Sequence, residues 1–147
     1  MHRHELAHWW GPGSSGPVEL RIPAEAKHLP MVRAMAHSFC RVEGFTRDEV
    51  TDVVLAVDEA AEILTRYSAP GAILHCRCAM AFGRLQAIVS TTTVAGELPG
   101  ELAHGWRVLT TVTDSFTAYR YEHDRQRSID RVVHIEFAKS FARRSPG

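Results

Sequence analysis

Two histidines and a glutamate near the N-terminus have the spacing of a zinc-protease motif. The segment His4-Glu5-Leu6-Ala7-His8 matches the H-E-x-x-H pattern, in which two histidines one helical turn apart bind Zn²⁺ and the glutamate is the general base. Catalysis needs that helix anchored in a core that holds three ligands rigidly. Here the segment precedes a run of glycine, proline and serine. We therefore expect adventitious metal binding by His2, His4 and His8, and no catalytic metal site.

The cysteines offer a second candidate for metal or redox chemistry. Cys76 and Cys78 lie two apart in a strand-like run, where alternation points both side chains to one face. Adjacent thiols on one face are poorly placed to bridge each other, and Cys40 is the only other cysteine. No second pair completes a zinc site. We expect three reduced cysteines with a structural role.

Composition narrows the possible classes of protein. The chain has 147 residues, 45% hydrophobic and 23% charged, which is typical of one globular domain. The 17 basic and 17 acidic residues cancel, which argues against direct binding to nucleic acid or to anionic membranes. No apolar run approaches the roughly 20 residues of a membrane span, and the N-terminus has no signal-peptide core. We expect a cytoplasmic protein.

The predicted elements follow the order strand, helix, helix, hairpin, loop, helix, hairpin. Residues 1–17 have the composition of a flexible segment, 18–141 form the domain, and 142–147 form a charged tail. Hydrophobic periodicity predicts strands at 18–22, 72–80, 84–91, 117–123 and 129–137, helices at 29–42, 46–67 and 106–116, and a loop at 92–105.

Local signals define the first two helices most clearly. Apolar residues recur three or four positions apart from Leu29 to Phe39, and Gly44 suits a C-terminal cap. Thr46 and Glu49 have the spacing of a capping box at the start of the second helix. This order of elements predicts an α+β two-layer sandwich, with about three helices on one face of a mixed, mostly antiparallel sheet of about five strands.

The second helix carries a resemblance to a known family. Its segment Asp52-Val53-Val54-Leu55-Ala56-Val57-Asp58-Glu59-Ala60-Ala61-Glu62-Ile63 resembles the GHKL (histidine kinase-like) ATPases, in the branch of RsbW-type anti-sigma factors that are also serine kinases. That branch has the helix pattern A-V-x-E-A-x-x-N. Its glutamate polarises water or the attacking hydroxyl, and its asparagine helps to hold Mg²⁺. Four of these residues match, and Ile63 stands at the asparagine position. By order of elements the resemblance covers 18–141.

The resemblance also implies the roles of individual residues. It makes Glu59 the catalytic and nucleotide-binding glutamate, and Gly105 the residue left from a phosphate-binding glycine pair. The aspartate and glycines of a D-x-G-x-G loop are expected at 90–94, where this chain has Ser90-Thr91-Thr92-Thr93-Val94. Arg33 falls where family members contact both the sigma factor and its antagonist. Asp58 and Glu62 are expected to face solvent.

These assignments predict a binding protein with degenerate ATP motifs. An isoleucine offers no donor atom to a hard cation, so no cofactor is expected to be required, although ATP with Mg²⁺ stays possible. The expected activity is sequestration of an alternative, stress-response type sigma factor, which a STAS-domain anti-anti-sigma factor reverses. A homodimer is expected by family analogy. One alternative is an active serine kinase that phosphorylates the antagonist, and another is a nucleotide-binding regulator without a sigma partner.

Overall fold

The computed structural model describes residues 15–94, 103–125 and 128–141. The strands are β1 (Ser15–Pro23), β2 (Ile73–Ala81), β3 (Arg84–Thr92), β4 (Ser115–Arg125) and β5 (Ser128–Ser140). The helices are α1 (Leu29–Val42), α2 (Arg47–Tyr67) and α3 (Ala103–Val112), with a short 3-10 turn, Ala26–His28, before α1. Over these ranges, no helix combines the length and the apolar character that a membrane crossing requires.

The strands form one open sheet in the order β1-β2-β3-β5-β4, and every pair in it is antiparallel. Two neighbouring pairs show the register, because Cys76 lies opposite Val89 and Val89 lies opposite Ile135. The predicted α+β class, with five strands and three helices, is confirmed.

The core lies between the helices and one face of the sheet. Alternation along β2 and β3 turns every second side chain towards the helices, and the burial of both strands follows that pattern. α2 packs against α1 on one side and α3 on the other, and it also contacts β2, β3 and β5. The largest fully buried side chains include Phe137, Leu74, Leu85, Leu109, Ile135, Val32, Val53 and Val57.

The three cysteines belong to this core. Cys40 of α1 and Cys76 and Cys78 of β2 are buried and free, which confirms the expected reduced state. Burial, with a smaller contribution from nearby carboxylates, raises the pKa of Cys40 to about 12. Burial also raises the pKa of Cys76 to about 12, and it raises the pKa of Cys78. All three are therefore neutral thiols at physiological pH.

The hairpin between β2 and β3 closes through two residues with left-handed backbone. Phe82 has φ 55° and Gly83 has φ 73°, as the mirror-image turns of two-residue hairpins require. Phenylalanine is an unusual residue for this conformation, and Phe82 is 79% exposed.

Some predicted boundaries were wrong. β1 begins at Ser15, inside the range predicted to be flexible, because Ser15 and Val18 pair with β2 across a register shift. The third helix spans Ala103–Val112 instead of 106–116. Phe116 has helical spacing, but it lies in β4 opposite Phe137. The sheet register overrode the weak helix propensity of this threonine-rich segment.

Candidate functional site

Arg33 lies on α1 at the edge of the buried face. Leu29, four residues before it, and Ala36, three residues after it, are buried, whereas Arg33 itself is exposed. Arg33 Nη1 donates a hydrogen bond to Asp58 Oδ1 of α2 at 2.8 Å. Asp58, which was expected to face solvent, does so only in part, because its side chain is 24% exposed and is ion-paired. Arg33 stays 44% exposed, so a planar guanidinium with further N–H donors is presented to solvent in a fixed position.

A groove of about 720 Å³ lies between α1 and α2, and Arg33 lines it. His37 and Arg41 follow Arg33 at four-residue intervals along α1, which places the three side chains in one row. The helical rise of about 1.5 Å per residue makes that row about 12 Å long. From α2, Val54 and Leu55 line the groove with apolar surface.

The turn between α1 and α2 positions the residues at one end of the groove. Gly44 has φ 80°, a left-handed conformation that reverses the chain directly after α1. The predicted capping box is confirmed: Glu49 N–H donates to Thr46 Oγ1 at 3.2 Å, and Thr46 N–H donates to Glu49 Oε1 at 2.8 Å. α2 therefore starts at Arg47, which lines the groove together with Phe45. Phe45 stacks on Phe141, with ring centroids 3.6 Å apart.

Ile63 and Glu59 occupy different environments on α2. Ile63 is 2% exposed and belongs to the hydrophobic core. Glu59 is half-buried. Residues four apart lie on one helix face, so an asparagine at 63 would share the face of Glu59, whereas the isoleucine gives that face an apolar side chain without oxygen. These two positions do not fit a magnesium site, since Mg²⁺ requires oxygen ligands.

The segment assigned by resemblance to the adenine-reading loop is a cluster of internal hydroxyls. Ser90, Thr91 and Thr93 are buried. The Oγ atoms of Ser68 and Thr91 lie 3.0 Å apart, and each is also within hydrogen-bond distance of a carbonyl oxygen: that of Leu64 at 2.8 Å and that of Ile73 at 3.0 Å. The cluster joins the end of α2 to β2 and β3. The hydroxyls of Ser68 and Thr91 have partners inside the protein, and residues 90–94 include no carboxylate that could accept from an adenine amino group.

Gly105 lies in the first turn of α3, so the single retained glycine does stand near a helix N-terminus. Residues 95–102, which precede that helix, lie outside the described residues, as do the segment His4 to His8 and the tail 142–147. Within the described part of the chain, no cluster of three or more histidine, cysteine, aspartate or glutamate side chains can hold a metal ion.

Comparison with known proteins does not assign the chain to a family. No protein-family model matches it, and no curated protein sequence does either. The RsbW-type relationship therefore depends on the Ala56–Ala60 segment and on the order of the elements, and it stays a proposal.

Three residues of the groove were not identified from the sequence. His37 and Arg41 share the four-residue spacing of Arg33, and this row was a usable signal because the apolar positions of α1 already indicated which face is buried. Arg47 gave no such signal. It joins the groove only through the turn that brings the start of α2 beside the end of α1.

Proposed function

We propose that this protein is an anti-sigma factor that holds an alternative, stress-response type sigma factor on the surface around Arg33. The observation that carries the proposal is the half-exposed guanidinium, fixed by Asp58 at the edge of a groove. Such an arginine has lost part of its side-chain freedom before a partner arrives, and arginine is common among the residues that dominate binding energy. The resemblance of Ala56–Ala60 to the RsbW branch supplies the class of partner.

Release follows from competition for one surface. A STAS-domain anti-anti-sigma factor that binds around Arg33 excludes the sigma factor, because a single guanidinium at one helix face cannot serve both proteins. This mechanism needs no phosphoryl transfer by the chain itself. It agrees with the apolar environment of Ile63 and with the internal hydroxyl bonds of Thr91. As for family members, we expect a cytoplasmic homodimer.

The kinase alternative has one supporting feature, the retained Glu59. Phosphoryl transfer relies on positioned metal ions and phosphate-binding groups, and a glutamate alone supplies neither. Phosphorylation of a purified STAS-domain protein, dependent on Mg²⁺ and abolished by Glu59→Gln, would favour this alternative.

The proposal is tested by retention of sigma factors on the immobilised protein. Each purified alternative sigma factor encoded in the source genome is applied to the wild-type chain and to two variants, Arg33→Ala and Arg66→Ala. Arg66 is a matched control, because it is also a helical arginine with one carboxylate partner, Glu62 Oε1 at 3.3 Å, and it does not line the groove.

We expect the wild type and Arg66→Ala to retain one sigma factor, and Arg33→Ala to lose it. Addition of the cognate STAS-domain protein should elute the sigma factor. If the wild-type chain retains none of the sigma factors, the anti-sigma function is wrong.

A further inference from the structure

Positive charge predominates in the α1–α2 groove. Arg33, Arg41 and Arg47 line it, and among the described residues Asp58 is the one acidic side chain that does so. Asp58 is engaged by Arg33. Arg41 and Arg47 are exposed, and no ion pair between described residues involves either of them. Two arginines at one end of the groove are thus available to bind carboxylates.

Apolar surface accompanies these charges. Leu55 is 43% exposed, Val54 is half-buried, and Phe45 closes the end of the groove near Arg47. A groove between two packed helices that combines an apolar floor with a charged rim is the kind of surface in which an amphipathic helix lies. The row from Arg33 to Arg41 determines the spacing of the partner residues that can contact it. Its intervals of about 6 Å equal the rise between residues four apart in a partner helix.

We propose that the groove binds an acidic amphipathic helix of the sigma factor, with aliphatic side chains on Val54 and Leu55 and carboxylates at Arg41 and Arg47. This inference rests on the proposed function and adds a binding mode and residues to it. Opposite charges speed the encounter and select the partner, while the apolar contacts in the groove provide burial. Arg33 is then one end of a longer contact surface.

Matched charge reversals test the inference. The groove variant combines Arg41→Glu with Arg47→Glu, and the control combines Arg66→Glu with Arg107→Glu. Both change the net charge by the same amount on exposed helical residues, and neither control residue lines the groove. Affinity for the retained sigma factor is measured by calorimetry at two salt concentrations. Circular dichroism verifies that each variant is folded, and Arg41→Gln with Arg47→Gln replaces the groove variant if reversal prevents folding.

We expect the groove variant to lose at least tenfold in affinity and most of its salt dependence, while the control loses less than about threefold. Equal losses in both variants, or none in either, overturn the groove proposal and leave the anti-sigma function standing. A wild-type chain that binds no sigma factor overturns both.

A photo-crosslinker at position 55 supplies an independent readout. Leu55 is part of the apolar floor of the groove, so a benzophenone side chain there should form its crosslink within an acidic helical segment of the bound sigma factor. A crosslink confined to a basic or extended segment would contradict the proposed occupant.

Discussion

Arg33 of α1 and Asp58 of α2 lie 25 residues apart in sequence and form an ion pair of 2.8 Å across the mouth of the groove. The aspartate directly precedes Glu59, the residue that the family resemblance makes catalytic. The segment with the resemblance therefore contributes to the α1–α2 surface through Asp58 and to the core through Ile63. One helix can therefore have a partner-binding role on the face of Asp58 and have lost a catalytic role on the face of Ile63.

The ion pair should contribute little to stability. Arg33 is 44% exposed, and pairs with this much solvent typically contribute about 0.2 to 1 kcal/mol to the free energy of unfolding. We expect a double-mutant cycle of Arg33→Ala and Asp58→Ala, measured by urea denaturation, to give a coupling energy within that range. A loss of several kcal/mol for Arg33→Ala alone would mean that its effect on partner binding reflects unfolding.

The cysteines should be unreactive in the folded protein. Burial raises the pKa of Cys40 and Cys76 to about 12, so almost no nucleophilic thiolate exists at pH 8. We expect iodoacetamide to label none of the three thiols in the time that labels all three in urea, as measured by mass spectrometry. Rapid labelling of Cys78 in the native protein would show that β2 is accessible from the helix side.

The pKa of His75 should lie below its ordinary value. Burial is the largest cause, followed by the positive charges of Arg77 and Arg21, and Glu19 only partly offsets them. Arg77 Nε donates to His75 Nε2 at 3.1 Å, which requires the neutral ring. The unfolded chain therefore binds a proton at a pH at which the folded chain does not, and the stability contributed by His75 is present above about pH 6.5 and is lost as the pH falls.

Two measurements check this sign. The His75 resonances should titrate with a midpoint below 6.5 in NMR spectra. The free energy of unfolding should also fall less steeply below pH 6.5 in His75→Gln than in the wild type. A midpoint above 6.5 would mean that Glu19 dominates.

Lys139 should matter more for stability than its charge alone would indicate. Its ammonium group donates to Asp52 Oδ2 at 3.1 Å and to the Val112 carbonyl at 3.0 Å, which joins β5, α2 and the end of α3. The side chain is only 15% exposed, so removal leaves a helix-end carbonyl without its donor. We expect Lys139→Met to lower the free energy of unfolding by about 1 to 3 kcal/mol.

Arg84→Met is the control for this substitution. Arg84 is exposed and makes one side-chain hydrogen bond, to Ser115 Oγ at 3.3 Å, so we expect a loss of less than about 0.5 kcal/mol. Equal losses in the two variants, measured by urea denaturation, would contradict the bridging role of Lys139.

Sequence patterns predicted the elements well where the signals were local. α1 spans Leu29–Val42 as expected. Its apolar spacing and the glycine that follows it are both local signals, so they can be recognised without knowledge of the fold. α3 was displaced because Phe116 satisfies the helical period and also the core face of β4. Only the pairing with Phe137 decides between the two.

The candidate site was less predictable. Resemblance pointed to Arg33, but its partner Asp58 depends on how α1 packs against α2, and no periodicity within either helix encodes that pairing. Arg47 enters the groove through the geometry of a turn. The sequence patterns thus lacked information on contacts between elements. Charge pairs across a helix–helix interface are contacts of this type, and a single sequence does not show them.

ATP with Mg²⁺ should not stabilise the protein. The helix face that would hold the metal presents the buried Ile63, and Thr91 bonds to the protein's own backbone. A ligand at 100 times its Kd adds about 2.7 kcal/mol to the stability, or several degrees in Tm for a chain of this length. We expect a change of less than about 1 °C at millimolar nucleotide in a thermal-shift measurement.

Restoring the asparagine should not restore binding. Ile63→Asn places an amide in the hydrophobic core, so we expect a loss of about 2 to 4 kcal/mol in the free energy of unfolding and still no nucleotide-dependent shift in Tm. Ile63→Val is the conservative control and should cost about 1 kcal/mol. A shift of several degrees in the wild type that requires both ATP and Mg²⁺ would instead mean that residues other than Ile63 hold the metal, and the mechanism of release would then include phosphoryl transfer.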